Sequence, residues 1–131
     1  MIYLDAAATT PVRREVLEAM WPFLTGDFGN ASSHHELGAR ARDALEAARD
    51  EVAGLLGCRS AEVTFTSGCT EADNLAVKGI ALGRRAVDPR RTRVAVSAIE
   101  HPAVLESARA LARLHGFSVD VLAVDGEGRV A

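Results

Sequence analysis

Short β-branched runs alternate with helical stretches from Glu62 onward, and that alternation limits the possible folds more than any other feature of the chain. Glu62 to Thr66 (EVTFT), Thr92 to Ser97 (TRVAVS) and Phe117 to Val124 (FSVDVLAV) read as strands. Thr70 to about Leu82 and Pro102 to His115 lie between them with helical periodicity, the second stopped by Gly116. Parallel strands need a crossover of about a dozen residues, usually a helix, so the order predicts βαβ units on a parallel sheet. The fold class is therefore α/β. Asp125-Gly126-Glu127-Gly128 then reads as a turn before the start of another element. Three strands with helices would leave a sheet edge uncovered, which predicts a fragment of a larger domain.

The first half of the chain is helical by pattern. Pro11 suits a first helical position, and Val12, Val16, Leu17 and Met20 recur at helical spacing up to Trp21 and Phe23, before Gly26 and Gly29 break the run. From Ser33 to about Leu56, alanines, leucines and Val52 fall on one face and arginine and acid pairs on the other. This spacing predicts a long helix ending at Gly57.

Composition narrows the function classes. Of 131 residues 48% are hydrophobic and 25% charged, enough apolar material for the core of about one domain. A formal net charge of −3 offers no general attraction to nucleic-acid phosphate or to an acidic membrane surface, so neither partner is expected. The opening MIYLDAAATTP lacks a basic segment followed by an apolar stretch, which argues against a signal peptide or membrane anchor. Cys58 and Cys69 are too few for a disulfide framework, and a reducing cytoplasm is expected. His34 and His35 are adjacent without a third ligand at metal spacing, so no metal is expected.

Two segments could carry chemistry. Thr66-Ser67-Gly68-Cys69-Thr70-Glu71-Ala72-Asp73-Asn74 places a glycine turn and small hydroxyl residues between a predicted strand and a predicted helix. An open α/β sheet binds phosphate at such a place, through free N–H groups and the positive helix end. Equally, Thr70 can cap the helix with Asp73 as its capping-box partner. Ile99-Glu100-His101-Pro102 follows the next strand, so His101 would emerge at the same carboxyl edge. A histidine there can serve as an acid–base group or stack on a planar cofactor, or can simply precede a helix beginning at Pro102.

Four stretches together resemble the N-terminal part of a NifS/IscS-type cysteine desulfurase, a class V aminotransferase and pyridoxal-phosphate enzyme of fold type I. They are Tyr3 to Pro11 (YLDAAATTP), Phe28 to Ser33 (FGNASS), Phe65 to Ala76 (FTSGCTEADNLA) and Ile99 to Leu105 (IEHPAVL), in family order over nearly the whole chain. The Phe28-Gly29-Asn30 run favours this branch over the SufS-like one.

The resemblance implies roles for particular residues. Cys69 and Thr70 correspond to the turn that holds the cofactor phosphate, and His101 to the histidine that stacks on the pyridine ring and moves protons. Asn30 and the Asp5 to Thr10 loop correspond to segments lining the substrate entrance. Residues 1–30 would thus form a substrate-entrance segment, and 31–131 the first part of the pyridoxal-phosphate domain. Ala6, Ala31 and Cys69 depart from the asparagine, proline and alanine or glycine common at those positions. Cys69 at a predicted helix start could look like a nucleophile, but a small residue in a phosphate turn is the reading preferred here.

The single lysine, Lys78, lies eight residues beyond Thr70, roughly 12 Å along a helix axis, and is expected at the surface rather than bonded to cofactor. By resemblance, the lysine that carries the cofactor and the cysteine that accepts sulfur would lie beyond Ala131. The implied whole enzyme is a homodimer that converts L-cysteine to L-alanine and passes sulfur to an iron–sulfur scaffold or a tRNA-thiolation partner, this chain being inactive alone. Another class V enzyme, such as a selenocysteine lyase or a kynureninase-like protein, and a non-catalytic half-domain that needs a partner chain are the alternatives.

Overall fold

The computed structural model describes residues 2–130, which form two compact units meeting at the Thr64–Phe65 bond. The first unit contains α1 (Arg14–Thr25), α2 (Glu36–Leu56) and a 3-10 turn at Ser60–Glu62. The second contains α3 (Cys69–Val87), β1 (Arg93–Ser97), α4 (Pro102–His115) and β2 (Ser118–Leu122).

In the first unit, α1 starts three residues after Pro11, with extended Arg13 as its N-cap and Pro22 inside the helix. It has no buried residue, and Leu17, Met20, Trp21 and Phe23 are all exposed. The long helix α2 begins at Glu36, three residues later than Ser33, because Asn30 to Ser33 form a turn and His35 is the N-cap. Its end is where the sequence predicts: Gly57 is left-handed at φ 67°, and its N–H returns to the last turn. Only Gly38 and Ala53 of α2 are buried.

Glu62 to Thr66, expected as a strand, is not one. Glu62 is consumed by the 3-10 turn, closed by the Arg59 N–H donating to its side chain at 2.9 Å. Val63 is extended at φ −98° and ψ 124°, but its carbonyl accepts from the Arg49 guanidinium instead of a neighbouring strand. β propensity supplies an extended backbone, whereas a strand also needs a ladder partner.

The second unit is a βαβ unit with α3 preceding it. β1 and β2 pair in parallel, Arg93 opposite Ser118 through Ser97 opposite Leu122, and α4 is their crossover. The third predicted strand is shorter than expected. It stops at Leu122, and Val124 instead bridges antiparallel to Val130 across a turn in which Asp125 Oδ1 accepts the N–H groups of Glu127 and Arg129 at 2.9 Å. Gly128, at φ 79°, supplies the left-handed residue which that turn requires.

The core lies where α4 covers the sheet: Val96, Ala103, Ala108, Leu111 and Phe117 are buried. Small residues on α4 let the helix approach the strands closely. Ser107 is buried among them with a hydroxyl that has no hydrogen-bond partner. The helix α3 runs five residues past the expected end at Leu82, because Gly83 is tolerated and the stop is Asp88-Pro89. A residue before proline is pushed out of the α region, and Asp88 is extended at φ −132°. None of the helices is long and apolar enough to cross a membrane, among the described residues.

Candidate phosphate turn and imidazole at the carboxyl edge of the sheet

The two sequence-predicted cofactor segments belong to the second unit, and the packing of α3 on α4 decides how they relate. Arg85, near the end of α3, donates to the carbonyl of His115, the last residue of α4, and its guanidinium carbon lies 4.4 Å from the centre of the Phe117 ring. The two helices therefore finish together at the amino ends of the strands. Going back along each axis at 1.5 Å per residue, Cys69 is about 24 Å and Pro102 about 20 Å from that end. Both first turns thus face the carboxyl edge of the sheet, where Ser97 leads into His101.

At the start of α3 the N-cap is Gly68, not Thr70, and no side chain caps the helix. The expected Thr70–Asp73 capping box is absent because Thr70 already lies inside the first turn. A different closure takes its place. The N–H and hydroxyl of Ser67 donate to Glu71 Oε2 at 2.7 and 2.6 Å. Those bonds, the hydroxyl first, hold the Glu71 carboxyl below the ordinary value of 4.5. Thr66 Oγ1 donates to the Gly68 carbonyl at 3.1 Å. The N–H groups of Gly68, Cys69 and Thr70 have no acceptor among the described residues. A Cβ added at Gly68 would meet nothing within 4 Å, so the space over these donors is open. Cys69 and Thr70 are both exposed.

His101 is the N-cap of α4, and its Nδ1 accepts the Ala103 N–H at 3.1 Å. That bond fixes the ring against the helix start and places the proton of the neutral imidazole on Nε2, which faces away from the capped backbone. Pro102 supplies the preset φ of the first helical residue. The imidazole is thus both a structural cap and an exposed ring, two roles left open by the sequence.

Lys78 corrects its expectation: it is half-buried, not at the surface, with Nζ donating to Asn74 Oδ1 at 2.5 Å while Asn74 Nδ2 donates to the Thr70 carbonyl at 2.8 Å. Spacing of i, i+4 and i+8 stacks the three on one helix face. The geometry still carries the lysine along α3 away from the turn. Cys58 is exposed, just beyond left-handed Gly57.

Asn30 belongs to the first unit and is exposed. Its Oδ1 accepts the Ser32 N–H at 2.9 Å and its carbonyl accepts the Ser33 N–H, which makes it the pivot of the turn before α2. The turn is packed against the helix through two glycines. An added Cβ would clash with the Leu37 carbonyl oxygen at Gly29, and with the Ser33 carbonyl oxygen at Gly38. Sequence reading named Gly29 as a helix breaker and as part of the Phe28-Gly29-Asn30 run, and overlooked Gly38, whose role depends on contacts that no local pattern encodes. His35 repeats the His101 arrangement, its Nδ1 accepting the Gly38 N–H at 3.3 Å.

An apolar groove of about 450 Å³ lies elsewhere in the second unit, lined by Ala76, Ile80, Arg84, Arg93, Val94 and Phe117. It opens at the amino ends of the strands, away from His101. The Gly68 to Thr70 turn is exposed and is not part of this groove.

Residues 2–131 match the family Aminotransferase class-V. The cysteine desulfurase IscS of Dictyoglomus turgidum is 48% identical over 129 residues, covering 98% of this chain and 32% of that protein. An IscS-like cysteine desulfurase of Mycobacterium tuberculosis is 46% identical over 131 residues, covering 100% and 33%. Among solved structures, a NifS-like protein superposes with a TM-score of 0.83 at 37% identity, covering 99% of this chain and 35% of that one. The structure of SspA in complex with cysteine gives 0.78 at 37%, covering 92% and 34%. The chain spans about a third of the length of the curated relatives it matches. With the match extending from residue 2 to residue 131 and the α/β core superposing on a NifS-like protein, the chain belongs to the class V aminotransferase family.

Proposed function

We propose that this chain provides the phosphate anchor and ring-facing histidine of a pyridoxal-phosphate site in a cysteine desulfurase. The whole protein would convert L-cysteine to L-alanine, with the substrate sulfur passing to an enzyme cysteine as a persulfide. The observation that carries this reading is the shared edge: three open N–H groups at Gly68 to Thr70 and the fixed His101 ring lie at the first turns of two helices packed in parallel. Similarity to proteins named as cysteine desulfurases supports the reaction class.

The donor set suits a phosphate. The N–H groups of Gly68, Cys69 and Thr70 and the Thr70 hydroxyl would hold its oxygens, aided by the positive end of α3. The small Cys69 side chain leaves the backbone accessible, which explains why a cysteine is tolerated there without being a nucleophile. His101 would lie against the pyridine ring, with the Nε2 proton available to the reacting amino acid. When bound, pyridoxal phosphate supplies an electron sink for bond changes next to the substrate amine. Lys78 is engaged by Asn74 and distant from the turn along α3, so this reading assigns it no bond to the cofactor. Asn30 and the Asp5 to Thr10 loop are read as the substrate entrance, with residues 1–30 as that segment and 31–131 as cofactor-domain polypeptide. Sulfur would pass on to an iron–sulfur scaffold or another sulfur acceptor, the working enzyme being a cytoplasmic homodimer.

The test replaces the matching third of the Dictyoglomus turgidum IscS with residues 1–131 and measures alanine and sulfide release from L-cysteine. An active chimera that loses about a hundredfold or more in kcat with His101→Ala is expected. The isolated 131-residue chain should bind pyridoxal phosphate weakly and form no alanine. A folded, cofactor-loaded chimera without desulfurase activity would overturn the reading, as would alanine formation by the isolated chain.

A further inference from the structure

Glu71 sits where a helix-start carboxylate normally closes a capping box, yet it is engaged one residue too early. In the usual box, the acid at the third helical position accepts the N–H of the N-cap residue. Here the N-cap is Gly68, whose N–H remains open, while Glu71 Oε2 takes both the N–H and the hydroxyl of Ser67. The displacement has two effects. It pins Ser67 and with it the direction in which Gly68 leaves the turn. It also keeps the carboxylate from capping the donors that an incoming anion needs.

The Gly68 carbonyl is controlled from the other side. It accepts from Thr66 Oγ1 at 3.1 Å and from the Ala72 N–H at 3.1 Å, so its negative end is engaged and cannot turn toward an anion. The peptide between Ser67 and Cys69 is thus held at both ends, by Glu71 through Ser67 and by Thr66 and Ala72 through the carbonyl. Gly68 itself supplies no side chain to hold it, and nothing packs over its Cα.

We propose that Glu71 is a positioning residue that preorganises the Gly68 to Thr70 N–H groups for phosphate, acting through Ser67 and not touching the ligand. This rests on the reading of residues 68–70 as a phosphate turn. A negative charge close to a phosphate should by itself weaken binding, so a positioning role and a merely repulsive role predict opposite results on removal.

The experiment titrates the isolated 131-residue chain with 4-deoxypyridoxine 5-phosphate, which lacks the aldehyde and so cannot bond to an amine. Backbone amide shifts of Gly68, Cys69 and Thr70 are followed by NMR, with unphosphorylated 4-deoxypyridoxine as the control. Wild type is expected to shift at those three amides with the phosphorylated probe only. Glu71→Ala should raise Kd for that probe about five- to tenfold, the scale of a lost helix cap. Glu71→Gln keeps an acceptor oxygen for the Ser67 N–H and should stay within about threefold of wild type, a rescue that a repulsive role would not give.

If wild type shows no shifts at residues 68–70, the phosphate-turn reading fails and takes this inference with it. If wild type binds but Glu71→Ala binds equally or more tightly, the reading survives and the positioning role is overturned. Should Glu71→Ala lose its dispersed spectrum, Ser67→Ala removes one of the two bonds and answers the same question: a weaker Kd for the phosphorylated probe supports the proposal, an unchanged one overturns it.

Discussion

Arg85 joins its guanidinium to the carbonyl of His115 and covers the Phe117 ring at 4.4 Å, so one side chain seals the ends of α3 and α4 together. The carbonyls of a helix's last turn have no intrahelical partners, and a cation there satisfies one while opposing the negative dipole end. The same contact ties the end of α3 to the end of α4, which as the crossover between parallel β1 and β2 finishes beside the start of β2.

Arg85→Ala is accordingly expected to lower stability by about 1–2 kcal/mol, a charged hydrogen bond together with a cation–π contact. Urea unfolding of the 131-residue chain measures this. Arg85→Lys should recover only part of the loss, because an ammonium cannot both lie flat on the ring and reach the carbonyl. Full recovery by lysine would show that charge alone matters.

His101 separates into a cap and a ring by substitution. His101→Ala removes the acceptor for the Ala103 N–H and should cost about 1 kcal/mol, whereas His101→Asn keeps a capping oxygen and should stay within about 0.5 kcal/mol of wild type. In the chimera, both should lose the histidine-dependent part of turnover alike. An asparagine variant that retained turnover would remove His101 from the chemistry.

Ser107 is 1% exposed and its hydroxyl is unpaired, which is a desolvation cost without a compensating bond. Ser107→Ala should therefore raise stability by about 0.5–1 kcal/mol, aided by the higher helix propensity of alanine. Thermal melts of the two proteins provide the comparison, and a destabilised alanine variant would mean that the hydroxyl has a partner.

The lowered Glu71 carboxyl sets a pH dependence whose sign is fixed. A carboxyl depressed by folding favours the folded turn above its ordinary value of 4.5, and that contribution is lost as pH falls through the folded value below it. Glu36 and Glu62 are lowered chiefly by hydrogen bonds from Arg40 and Arg59, and Asp88 by Arg90, so overall acid unfolding reports all four. The local readout is the Ser67 amide. Its hydrogen exchange relative to neighbouring amides should rise as pH drops below 4.5 in wild type and stay flat in Glu71→Gln.

The sequence by itself determined the parts of this chain whose signals are local. Gly57 and Gly116 end their helices because each lies just past a periodic run and can adopt a left-handed φ, and α4 occupies Pro102–His115 as its proline and glycine indicate. The α/β class was legible in the same way, from alternating periods of hydrophobicity. Motif order likewise pointed to the class V family, to which the match over residues 2–131 assigns the chain.

Only the tertiary structure decided features that depend on partners distant in sequence or on competition among neighbours. Residues 63–66 have strand composition but form no strand among the described residues, so propensity alone was insufficient. Gly38 looked ordinary until the Ser33 carbonyl came within reach of its missing Cβ. At the start of α3, sequence reading offered Thr70 with Asp73 to close the turn. Packing and backbone direction gave that role to Glu71 through Ser67, because the N-cap falls on Gly68 and the carboxylate reaches the residue before it.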